Sequence, residues 1–252
     1  MKLLVKGAVL GAIFLLAAAA WAVYPAAGVP ILAYHKVSEI DEVYSVPAAE
    51  FGEQMRYLAE HGYTAVSLAE LVANMTAGKT LPANPVVITF DDGYADNYHT
   101  ALPLMAKYGM KATVFIVSDY MGQPPYLTWE EVRALAAAGT EIGSHTLAHR
   151  VLTELPPDER LRDVVVSKEG IEWRLDKPAY FLAYPFGRFD AATVALLRQA
   201  GYKGACGGRI GLNKPGDDVY ALKRISVSRS HWGLVDFRLR LLRANIYAKL
   251  GL

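Results

Sequence analysis

The sequence predicts an α/β protein in which a parallel sheet, covered by helices, closes toward a barrel. Three observations carry that expectation. Beyond residue 30, short β-branched or aromatic runs alternate with amphipathic stretches, the rhythm of repeated βα units. The connections are short, and the helical stretches carry their own start and stop chemistry. Seven or eight such units fit in a chain of 252 residues with no linker and no low-complexity tract after residue 30, which favours one barrel over an open sheet.

In chain order the candidate strands are ILAYH (31–35), TAVSL (64–68), VVITF (86–90), KATVFIV (111–117), TEIGS (140–144), YFLAYP (180–185), YKGAC (202–206) and KRISVS (223–228). Between most of them lie helical patterns: AAEFGEQMRYLAEHG, SLAELVANM, YADNYHTALPLMAKYG, TWEEVRALAAAG, PDERLRDVVVSKEGIEWRL and DAATVALLRQAG. Ser67 with Glu70 and Thr128 with Glu131 have capping-box spacing, and Gly62, Gly109, Gly139 and Gly201 stand where helices would end. The tail, WGLVDFRLRLLRANIYAKLGL, reads first as a last helix packed on the barrel. Its second reading, resting on Arg229, Arg238, Arg240, Arg243 and Lys249, is a basic face on an anionic membrane, conditional on a retained N-terminal anchor.

Residues 1–23 differ in kind. Lys2 and Lys6 precede an uncharged apolar run that ends near Ala20-Trp21-Ala22, the order of an export signal. The run also approaches the roughly 20 apolar residues that span a bilayer, so signal peptide and membrane anchor both stand. Either places the remaining domain, 29–252, outside the cytoplasm. A net charge of +1 from 26 basic and 25 acidic residues lacks the basic footprint of a nucleic-acid binder. The single cysteine, Cys206, excludes an intrachain disulfide and a cysteine-rich zinc site. Oligomeric state is not legible.

In α/β barrels catalytic groups stand at the carboxyl ends of the strands. His35 ends ILAYH, Asp91 and Asp92 of TFDDG follow VVITF, His145 follows TEIGS, and Tyr184-Pro185-Phe186-Gly187 closes the run FLAYPFG. All are expected on one rim. His145 and His149 of SHTLAH are four apart, so a helical turn there would stack them on one face for a single metal ion. One aspartate with two histidines leaves an open position for water, the usual form of a catalytic zinc site. The same three ligands would also suit an iron oxygenase, although the adjacent second aspartate and the barrel speak against it.

TFDDG, then SHTLAH, then YPFG resemble the ordered motifs of the polysaccharide deacetylases (carbohydrate esterase family four, the NodB homology domain). VPILAYHKV and FGEQMRYLAEHGYTAVSLAEL are most similar to its poly-N-acetylglucosamine deacetylase branch. The resemblance covers roughly residues 29 to 230 and implies a distorted (β/α)7-like barrel with metal-dependent N-deacetylase activity on a polysaccharide of N-acetylhexosamine units. It implies that Asp92, His145 and His149 hold a divalent ion, zinc first, with cobalt or nickel as alternatives. Asp91 would be the general base and His35 the acid for the leaving amine, with His231 as its rival. Tyr184, Pro185, Phe186 and Gly187 would line the substrate side, with a backbone N–H near Phe186 for the oxyanion. Two departures stand out: no arginine precedes YPFG, leaving Arg188 or Arg224 to orient the base, and the late leucine-x-histidine motif is missing. A peptidoglycan N-deacetylase, or a glycan-binding protein with a degenerate site on the same fold, are the rival readings.

Overall fold

The computed structural model describes residues 20–251 and, ahead of them, positions 15 and 17. Most of the expected export segment, 1–23, therefore lies outside the described residues. The strands are β1 (Ile31–Tyr34), β2 (Lys36–Val37), β3 (Ser45–Val46), β4 (Thr64–Ala65), β5 (Pro85–Phe90), β6 (Thr113–Ile116), β7 (Glu141–Ser144), β8 (Phe181–Ala183), β9 (Gly204–Cys206) and β10 (Ile225–Ser226). Apart from the small β2–β3 pair, they form one eight-stranded parallel sheet in the order β10-β1-β5-β6-β7-β8-β9, with β4 beside the start of β5. The eight expected strands are these eight. The sheet curls until its ends meet: Leu222, just ahead of β10, bridges Cys206 of β9, and its N–H donates to the Ala205 carbonyl at 3.0 Å. A few residues later the same segment pairs with β1 at Ile225. Seven strand positions thus make a barrel-like ring, distorted at this seam.

The helices are α1 (Ala48–Glu60), α2 (Leu68–Ala77), α3 (Leu102–Ala106), α4 (Trp129–Ala137), α5 (Pro157–Leu175), α6 (Ala191–Gln199) and α7 (Leu234–Leu250). Both expected capping boxes form, at Ser67 and Thr128. Ahead of α3, Asn97–Ala101 is a π-helical turn. Pro103 has no N–H to donate, and the Leu102 N–H reaches back to the Asn97 carbonyl. Among the described residues, no helix is long and apolar enough to cross a membrane.

Alternation along each strand decides what the barrel contains. Ile31, Val87, Phe115, Phe181, Ala183 and Cys206 meet inside it, and α2 closes the amino end with Leu68, Leu71 and Met75. Gly143 leaves room for Phe115, whose ring lies 2.5 Å from where a Cβ would stand. Leu32, Tyr34, Ile88, Phe90, Val114, Ile142 and Ile225 face outward into the core under the helices. Continuing the inward registers past the strand ends brings His35, Asp91 and His145 to the carboxyl mouth. Arg224, next to outward Ile225, joins them.

Candidate active site

Asp91 directly follows β5 inside the barrel, 3% exposed, and meets Arg224 in a two-pronged ion pair, Nη1 to Oδ1 at 2.7 Å and Nη2 to Oδ2 at 2.8 Å. Burial alone would raise the carboxyl's pKa. The Arg224 charge and its two hydrogen bonds, with His145 nearby, outweigh burial and hold it well below the usual carboxylate range. Arg188 instead pairs with Glu154 on the surface at 2.7 Å. Of the two arginines left open by sequence, Arg224 is the one on Asp91.

Asp92 takes a different partner set because the backbone turns there: Asp92 and Gly93 have φ of +71° and +75°. A side chain on Gly93 would strike Ile116 at 2.9 Å, which explains the glycine of TFDDG. Asp92 Oδ1 lies 3.4 Å from Nε2 of both His145 and His149 and has no hydrogen-bond partner, although it is buried. One ligand atom from each of the three residues falls within 4.8 Å of the others. Tetrahedral ligands about 2.0–2.2 Å from a zinc ion stand about 3.3–3.5 Å apart, so a carboxylate oxygen orphaned at 3.4 Å from two imidazoles fits a shared cation. His145 Nδ1–H donates to the Ala183 carbonyl at 2.8 Å, which leaves Nε2 with its lone pair toward Asp92. Burial lowers the pKa of both histidines and favours the neutral, ligating form.

The segment joining the two histidines is not the helical turn expected from their spacing. Residues 145–149 form an irregular loop in which Thr146 and His149 have φ of +69° and +56°. Asp163, fully buried in α5, shapes it. One carboxylate oxygen accepts the N–H of Leu147 at 2.7 Å and of Ala148 at 3.3 Å, and the other takes Arg150 Nε at 3.0 Å. Asp163 was missed from sequence, where its signal was a lone acid in the apolar run DVVV. Of the six non-glycine residues with positive φ among those described, Asp92, Thr146, His149 and Phe186 cluster here, the placement expected of stored strain at a functional site.

His35 lies beside this cluster. Its ring is 4.7 Å from that of Tyr44, its Nδ1 is buried without a partner, and its carbonyl accepts from Asn97 Nδ2 at 2.8 Å. Burial pulls its pKa down against the charges of Asp91 and Asp92. His231 is exposed in the turn before α7. The YPFG stretch corrects the sequence expectation in part. Tyr184 is fully buried, stacked on Phe189, its hydroxyl donating to the Tyr220 carbonyl at 3.0 Å, so it faces the core under α6 rather than a substrate. Pro185 is buried as well, whereas Phe186 is exposed and stands 4.9 Å from His149, ring to ring. Gly187, with φ of +68°, packs where a Cβ would lie 2.4 Å from Gly208 Cα, so it is a backbone requirement.

A barrel-like parallel sheet with an Asp-His-His cluster and an arginine-held carboxylate at its carboxyl mouth defines a hydrolase of the polysaccharide deacetylase class. The chain belongs to that family: the family's sequence model, Polysaccharide deacetylase, matches residues 78–205. YxkH of Bacillus subtilis, itself assigned to the polysaccharide deacetylases, is 34% identical over 202 residues, 80% of this chain and 72% of that protein. The poly-beta-1,6-N-acetyl-D-glucosamine N-deacetylase of Escherichia coli K12 is 26% identical over 71% of this chain, which spans only 34% of that enzyme. Two solved structures share the fold: the Streptococcus pyogenes deacetylase PplD, with a TM-score of 0.79, 23% identity and coverage of 88% of this chain and 99% of that one, and IcaB from Ammonifex degensii, at 0.77, 24%, 86% and 98%. The matched stretch 78–205 contains both aspartates and both site histidines, whereas His35 and Arg224 lie outside it. They come from the strands that meet at or beside the seam.

Proposed function

We propose that this chain is a metal-dependent N-deacetylase that acts outside the cytoplasm on a polymer of N-acetylhexosamine, of the poly-N-acetylglucosamine kind. The observation that carries the reading is the orphaned Asp92 oxygen between His145 and His149, next to a second carboxylate held ionised by Arg224. Relatives named for deacetylation of poly-beta-1,6-N-acetyl-D-glucosamine support the polymer class, and the export-like segment 1–23 supports the location. Asp92, His145 and His149 would hold the ion, zinc, cobalt or nickel. A bound divalent cation supplies Lewis acidity toward the acetyl carbonyl and makes water a better nucleophile. Asp91 would accept the proton of the attacking water. Arg224 fixes its orientation and keeps it in the basic form. The Phe186 N–H would donate to the developing oxyanion. His35 would deliver a proton to the amide nitrogen, which otherwise leaves poorly, and the burial that lowers its pKa makes its imidazolium a stronger acid.

Chelation followed by metal titration tests this, with acetate release measured on β-1,6 and β-1,4 N-acetylglucosamine oligomers and on peptidoglycan fragments. Activity should vanish with the metal and return with zinc or cobalt, while far-UV circular dichroism stays unchanged. Full turnover after chelation would overturn the metal reading. Bound metal with no acetate from any glycan would favour a glycan-binding protein.

A further inference from the structure

The last helix carries two apolar stripes, and the barrel uses one. Phe237 and Ala244 of α7 are buried in the core, with Leu241 and Ala248 partly buried against it. A second line, Val235, Leu239, Leu242, Ile246 and Leu250, recurs every three or four residues and so runs down one side, with Trp232 in the turn just ahead of the helix. Trp232, Val235, Leu239 and Leu250 are 69%, 54%, 47% and 58% exposed. The chain entering the barrel is strapped to the same helix. Asn245 accepts from the Ala26 N–H at 2.6 Å and donates to the carbonyls of Ala22 at 2.7 Å and Tyr24 at 3.0 Å, while Lys249 bonds the Trp21 carbonyl and sits 4.8 Å over its ring. Trp21, Val23 and Tyr24 are themselves exposed. Between strap and helix runs a groove of about 810 Å³ that reaches Pro30 and Pro85, at the amino ends of β1 and β5.

Charge says what this surface meets. Among the described residues Arg238, Arg243 and Lys249 pair with no carboxylate: Arg238 and Arg243 rest on the rings of Tyr57 and Tyr247, and the helix's own Asp236 is taken by Arg240. A second copy of this face would set like charges against each other. The chain's own apolar segment, whose charges are Lys2 and Lys6, would add to the excess. We propose that α7 and residues 21–26 form a membrane-contact surface that seats the barrel on a bilayer rich in anionic lipid. The exposed stripe enters the headgroup boundary, and Arg238, Arg243 and Lys249 meet lipid phosphates. The apolar run 1–23 leads into this strap. This surface stands apart from the deacetylase reading, and its test reads lipid contact rather than acetate.

The experiment is hydrogen–deuterium exchange on the full chain in vesicles of phosphatidylcholine alone or mixed with phosphatidylglycerol. The two vesicles differ only in headgroup charge, so the difference between them reports that charge whatever the N-terminal segment contributes to lipid contact. The amides of Leu234–Leu250 should exchange several-fold more slowly with phosphatidylglycerol, and high salt should remove the difference. The double variant R238E/R243E should lose it while keeping the wild-type thermal midpoint, and R238K/R243K should retain it. Equal exchange in the two vesicles, or protection that survives charge reversal, would overturn the proposal and point to the chain's own segment or a second copy in the groove.

Discussion

Two carboxylates line the same barrel at opposite ends, and the fold treats them in opposite ways. Asp91, at the carboxyl mouth, meets a fixed guanidinium and is held strongly acidic. Glu141, the first residue of β7, meets neutral donors only: Thr113 Oγ1 at 2.8 Å and the Leu68 N–H at 3.0 Å, at the start of α2. Burial pushes the Glu141 pKa up. The bonds from Thr113, Leu68 and Ala69 offset this in part, and Glu70 nearby adds to it. One end is closed by a helix for which Glu141 is a capping partner, and the other is open, with a base-like charge maintained inside it. The carboxylate group is shared, so the neighbour's charge separates a scaffold acid from a candidate catalytic one.

The comparison breaks most sharply at Asp91. Asp91→Asn should cut acetate release by about 10²- to 10⁴-fold, since an amide cannot act as the base. It should also destabilise the fold by about 3–5 kcal/mol, because Arg224 is left as an unpaired buried charge. Metal content should stay near that of the wild type, whereas Asp92→Asn should lose metal and recover in part when more is added. Elemental analysis, acetate assays and urea unfolding on both variants decide it. Equal metal loss from both would make the aspartates a shared ligand set with no dedicated base.

His35 tests whether the mouth extends to β1. His35→Ala should slow acetate release by about 10²- to 10⁴-fold with metal retained, and His231→Ala, at an exposed turn, should leave it within a few-fold. The reverse pattern would move the acid to His231, and metal loss from His35→Ala would make it a ligand. A smaller effect is expected where the backbone supports the site. Gly187→Ala forces a Cβ to 2.4 Å from Gly208 Cα at a positive φ, so a loss of about 1–3 kcal/mol in thermal unfolding should accompany weakened turnover.

Sequence made the sheet legible because most of its strands are β-branched or aromatic runs followed by turn residues, and the rim residues sit one or two positions past those runs. Strand parity held further information. Leu182 and Tyr184 share the outward side of β8, with Val164, Leu197 and Tyr202, so Tyr184 belongs to the outer core and not to the substrate side. Arg224 alternates with outward Ile225, and a cation on an inward strand position needs a buried anion, which Asp91 supplies. The loop carrying both histidines was beyond reach, because its left-handed residues are fixed by Asp163 from a helix farther along the chain. Spacing of four allowed a helical turn, and a distant carboxylate decided against it.

The smallest expected change is the most direct test of the comparison, because it repeats the acid-to-amide substitution at the other end. Glu141→Gln can keep an oxygen toward Thr113 and Leu68 while removing the burial cost of a charge. Stability should therefore stay within about 1 kcal/mol of the wild type, against the several lost in Asp91→Asn. The sign with pH follows from the raised pKa of Glu141 in the folded state. Between the ordinary glutamate value and the raised one, the folded protein binds more protons than the unfolded chain, so wild-type stability falls as pH rises through that window. Glutamine has no such loss, so Glu141→Gln should gain on the wild type from acid toward neutral pH. Urea midpoints of both proteins across that range give the answer. A variant that loses ground as pH rises would mean that Glu141 is stabilised as an anion, and the two ends of the barrel would then be alike.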